Sequence, residues 1–166
     1  MRVKVLDTLP RGAVANIRDW LLAQLDVAGY RLTFRPPGSR RSWANPITRR
    51  VVLRPVDLYH VDGLALLAHE TAHVRQQSGA LWYRLAWGAW YWLNPWFRRR
   101  VEVEAEAWWT AVAVRYRYGL SRWRPTIEAW AKRSHTLGRW RAPHFTPGDP
   151  EEITRAIADR AAELLS

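Results

Sequence analysis

The stretch Leu64–Gln77 reads LALLAHETAHVRQQ, with His69-Glu70-Thr71-Ala72-His73 at its centre. Two histidines four residues apart lie on one face of an α-helix, one turn above each other. Both imidazoles can then point at one metal ion, and Glu70 can reach a water bound there. The flanking residues Leu66, Leu67, Ala68, Ala72 and Val74 are apolar and suit the buried wall of such a site. The chain has no cysteine, which leaves His, Asp and Glu as ligands and zinc as the expected ion.

A catalytic zinc usually takes three protein ligands and leaves a fourth position for water. After His73 the chain continues VRQQSG, so no third histidine follows at the H-E-x-x-H-x-x-G-x-x-H spacing. Downstream, RRRVEVEAEAWW over 98–109 offers Glu102, Glu104 and Glu106. At about 100° per residue, Glu102 and Glu106 share a face with Arg99, Thr110 and Arg117. That face reads as solvated, with the two acids as partners of nearby arginines. Glu104 falls with Val101, Ala105, Trp108 and Ala111, where a lone acid is costly unless a cation meets it. The expected metal set is therefore His69, His73 and Glu104, with Glu102 as the second candidate.

Outward from this pair of helices, the elements follow local signals. Ile17, Trp20, Leu21 and Leu25 mark a first helix over 10–29, stopped by Gly29. Two strands are expected, YRLTFR over 30–35 and RRVVLR over 49–54, with an Arg- and Trp-containing loop over 38–49 between them. Asp57 or Asp62 can cap the motif helix, which runs to about Ser78. Residues 80–97, ALWYRLAWGAWYWLNPWF, are partly helical and interrupted at Asn94-Pro95. Their aromatics read most simply as a lobe packed on the core, with a membrane or partner surface as the alternative. A long helix over 98–118 ends at Gly119, and another is expected over 121–135. Asp149-Pro150-Glu151-Glu152 opens a last amphipathic helix whose buried side is Ile153, Ile157, Ala161 and Leu164. The fold class expected is α+β, mainly helical.

The chain has 166 residues, 48% of them hydrophobic, enough for one domain with a core. Its formal charge of +11 is almost all arginine and allows an anionic partner, whether nucleic acid, lipid or protein. The basic residues are scattered apart from Arg98-Arg99-Arg100, and no nucleic-acid recognition motif accompanies them. No apolar stretch is long enough for a transmembrane segment. MRVKVLDTLPRG lacks an apolar export core and a cleavage site, so a cytoplasmic chain is expected.

H-E-x-x-H followed by a Glu-x-x-Ala helix, here Glu104-Ala105-Glu106-Ala107, resembles the gluzincin metallopeptidases. LLAHETAHVRQQ followed by VEVEAEAW is most similar to small H-E-x-x-H-V-x-Q domains of bacteria and their phages, and the element order resembles the minigluzincins. The resemblance covers roughly 10–119. It implies a minimal zincin-like domain over 1–119 with a helical extension over 120–166. It also implies zinc on His69, His73 and Glu104, Glu70 as general base, and a peptide or protein substrate, with a strand such as 49–54 holding the substrate by its edge. Tyr116, Tyr118, His135 and His144 are the candidates for stabilising the transition state. ImmA/IrrE-type peptidases are a second relative, although Trp108 stands where they carry Asn. The competing readings are a latent or inactive zinc-binding protein, and a basic, Trp-rich protein of a membrane surface or nucleic acid.

Overall fold

The computed structural model describes residues 14–35, 43–45, 47–118, 124–137 and 147–166. It is mainly helical with one small sheet. Helix α1, Val14–Val27, is followed by strands β1 (Arg31–Phe34), β2 (Trp43–Asn45) and β3 (Arg50–Leu53). A 3-10 turn, Pro55–Tyr59, leads into α2, Val61–Gln76, which carries the histidine pair. Then come α3 (Leu81–Leu93), α4 (Pro95–Tyr118), α5 (Arg124–Leu137) and α6 (Pro150–Leu165). The expected start of α1, Ser121 and most of the loop before Asp149 lie outside the described residues.

Local chemistry explains most of the boundaries. Gly29 adopts φ 71° after α1. Its amide and that of Tyr30 return to the carbonyls of Asp26 and Leu25, closing the helix in a Schellman arrangement. Asn94 joins two helices. Its amide ends α3 on the Trp90 carbonyl, and its side chain accepts the Trp96 and Phe97 amides that open α4. The Asp149 side chain accepts the Glu152 amide, and Pro150 occupies the first turn of α6.

The sheet has the order β1-β3-β2, with β1 parallel and β2 antiparallel to β3. This corrects two expectations. The segment expected as a loop contains a third strand, too short to show an alternating pattern. It turns back into β3 where the Asn45 side chain accepts the Ile47 and Thr48 amides. The strand over 49–54 is consequently the central one and offers no open edge. Within the described sheet, the edge beside the motif helix belongs to β2.

The core lies between α1, α2, α4 and the last two helices. Ile17 and Leu21 of α1, Leu67 of α2, Trp108 of α4 and Ile157 of α6 are all fully enclosed. Trp20 stacks on Trp108 at 5.3 Å. All four residues expected on the inner side of α6 are buried. The middle of α4, from Ala105 to Arg115, is buried around its whole circumference because α2 covers one flank and α5 and α6 the other. Asp149→Ala removes the α6 cap and should lower unfolding stability by about 1 kcal/mol, read as a shift of the urea midpoint at constant m-value.

Candidate metal centre

α2 and α4 pack along their lengths, and the centre forms where the motif turn of α2 meets the first buried turns of α4. The four-residue spacing brings the His69 and His73 Nε2 atoms to 3.1 Å from each other. The Glu102 carboxylate completes the group, with Oε2 3.7 Å from His69 Nε2 and Oε1 3.5 Å from His73 Nε2. A tetrahedral ion with bonds of ~2.1 Å holds its ligand atoms ~3.4 Å apart, which is the spacing of this triad. Among the described residues it is the one His/Asp/Glu group placed to hold a metal ion. The donor set carries its own signal. Glu102 Oε2 is buried and has no hydrogen-bond partner, the kind of atom that a cation would satisfy.

The outer ring nitrogens are also engaged. Gln76 Oε1 lies 3.1 Å from His73 Nδ1, and the same amide donates from Nε2 to the Val101 carbonyl of α4. With Nδ1–H donated to Gln76, the lone pair of His73 is on Nε2, facing the centre. Glu106 Oε1 stands 3.5 Å from His69 Nδ1, beside the outer nitrogen of the other ring. Gln76 is the glutamine of the V-x-Q signature, and this contact gives it a chemical role.

Electrostatically the centre is a pocket of buried acids beside two imidazoles. Burial pushes Glu102 up to about 8, with Tyr91 and Arg98 pulling the other way. Glu70 is raised to about 7, again chiefly by burial, while the Ala44 backbone on β2 hydrogen-bonds its carboxylate. His69 is held well below its ordinary value by burial and by His73 beside it. Each shift records the cost of charge in a dry site, and a dication there would reverse the balance for both carboxylates.

The third ligand expected was Glu104, and this assignment is corrected. Glu104 faces away from the histidines and is chelated by Arg160 of α6, at 2.7 and 3.0 Å, while also accepting from the Trp108 indole. The face expected to be solvated carries Glu102, Glu106 and Thr110, all buried against α2. The apolar face does need a cation for its acid, and an arginine on another helix supplies it.

The aromatic segment contributes a residue that sequence patterning did not single out. Tyr91 of α3 donates its hydroxyl to Glu102 Oε1, stacks on Trp87 at 5.3 Å and stands edge-on to the His73 ring. Arg98, first of the arginine run, is buried. It donates to the Tyr91 and Trp92 carbonyls and so caps the last turn of α3. Of the four residues proposed as transition-state stabilisers, Tyr116 lines a separate groove with His60 and Asp62 at the start of α2, and Tyr118 is exposed at the end of α4. The side chains of His135 and His144 lie outside the described residues.

No protein-family model, curated protein or solved structure matches the chain. Glu102→Ala should abolish stoichiometric zinc uptake in equilibrium dialysis, whereas Glu104→Ala should retain it. Gln76→Ala should weaken the ion by about 10–100-fold through loss of ring orientation, measured by competition with a chelating dye.

Proposed function

We propose that the chain is a zinc-dependent metallopeptidase of gluzincin-like design, with His69, His73 and Glu102 as zinc ligands and Glu70 as general base. The observation that carries this reading is the unpartnered Glu102 Oε2, converging with two Nε2 atoms beside a second buried carboxylate of raised basicity. Bound there, zinc would supply a Lewis acid that polarises a carbonyl and acidifies a water.

The remaining steps belong to the chain's own residues. Glu70, with a pKa brought to about 7, accepts the proton of the attacking water and returns it to the leaving amine. The Ala44 contact keeps that carboxylate aimed while tying it to β2. An extended peptide would add to the sheet along β2, which puts its backbone next to Glu70. Gln76 keeps the His73 imidazole presenting Nε2 throughout, and Glu106 stands beside the outer nitrogen of His69.

A specific contact favours a second reading. Tyr91 and Trp87 close one side of the centre, and the Tyr91 hydroxyl occupies Glu102 Oε1. This arrangement suits a latent or purely zinc-binding protein. Glu70→Gln should retain zinc and lose hydrolysis by about 10²–10⁴-fold, measured on a fluorogenic peptide library. Unchanged turnover would remove Glu70 from the mechanism. Zinc uptake without turnover, in the parent chain and in Tyr91→Phe alike, would establish the second reading.

A further inference from the structure

Helix α3 has an apolar outer side as well as an apolar inner one. Its single charged residue, Arg84, points inward and is buried with Trp87. The residues turned to solvent include Leu81, Trp82, Leu85, Trp92 and Leu93. Trp82 is 72% exposed, Trp92 69% and Leu93 81%. A helix apolar on all sides is ordinarily enclosed, and one that is not has a partner on its open side. The expectation that these aromatics pack on the core therefore holds for the inner residues only.

We propose that the outer face of α3 docks on an anionic lipid membrane, with the helix lying in the interface plane. Tryptophan flanked by leucine is the side-chain chemistry of the headgroup boundary, where the ring body is apolar and the indole N–H stays wet. At 13 residues the helix is about 20 Å long. That is too short for the ~30 Å hydrocarbon core, and no helix among the described residues is long and apolar enough to cross a membrane.

Charge selects the occupant. The chain carries no acid between Glu70 and Glu102, while Arg75, Arg100 and Arg160 outnumber Glu104 in the groove beside Tyr83 and Trp87 of α3. Arg100 is exposed, and the whole chain stands at +11. An anionic headgroup layer complements this surface. A second copy would carry the same charge of +11, so like charges would oppose a face-to-face contact.

The test is sedimentation of the full chain with vesicles of phosphatidylcholine alone and of phosphatidylcholine mixed with phosphatidylglycerol. The expected result is binding to the mixed vesicles that raised salt weakens without abolishing. Combined Trp82→Ser, Leu85→Ser and Trp92→Ser should lower the partition coefficient by about tenfold or more, with circular dichroism and zinc content unchanged. Trp82→Ser alone, at a side chain that makes little internal contact, should give a smaller loss in the same direction. Equal binding by parent and both variants would reduce the effect to arginine adsorption and overturn the proposal. Failure of the parent to bind either vesicle would overturn it too, as would dimerisation through this face without vesicle binding.

Discussion

A carboxylate removed from water requires either a proton or a cation, and the packing of α2 against α4 is arranged around that requirement. Glu102 sits where the two helices are closest to the histidine pair, enclosed on every side. One oxygen accepts a hydrogen bond from Tyr91, and the other, 3.7 Å from His69 Nε2, accepts none. A large-area apolar contact would hold the helices together without any of this. Burying the acids Glu70, Glu102 and Glu106 costs stability, which a bound cation or proton uptake offsets. Such an arrangement is a strong sign of a site, because a fold has no structural need of it.

The same helix shows two ways of accommodating an acid. On the flank toward α6, Glu104 is partly exposed and paired with Arg160 in a two-bond contact, an ordinary structural ion pair. On the flank toward α2, Glu102 and Glu106 face the two imidazoles, and burial holds the His69 ring well below its ordinary pKa. The three acids alternate along VEVEAEA, so neighbouring carboxylates point to opposite sides of one helix. The arginines of the 98–100 run separate similarly: Arg98 caps α3, Arg99 pairs with Glu152 of α6, and Arg100 is left at the surface.

Features set by adjacent residues were legible in the sequence. Gly29, Asn94-Pro95 and Asp149-Pro150 mark helix ends because capping needs only the residues at hand. The inner side of α6 was legible because one side of that helix is buried and the other is wet. The choice between Glu102 and Glu104 was not. Periodicity shows which residues share a face, but not how many faces of a helix are covered, and α4 is enclosed from both flanks. Tyr91 escaped for a related reason: a helix apolar all round gives no phase from which to read its inner side. β2 escaped because three residues carry no period, and its existence depends on pairing with β3. Gln76 was visible as part of a signature, but its contact with the Val101 carbonyl exists only once α4 is in place.

The position of α3 has a thermodynamic corollary. It lies in the chain between His73 and Glu102, the residues whose ligand atoms converge. An ion bridging them is a cross-link that closes the segment 73–102 into a ring with the aromatic helix inside it. Ring closure restricts the unfolded chain most for the segment it encloses, and an ion that binds only the folded arrangement adds its binding free energy to folding. Metal at this centre would therefore act as a fastener for the aromatic helix, and chelation would loosen first an element whose outer side, among the described residues, is exposed.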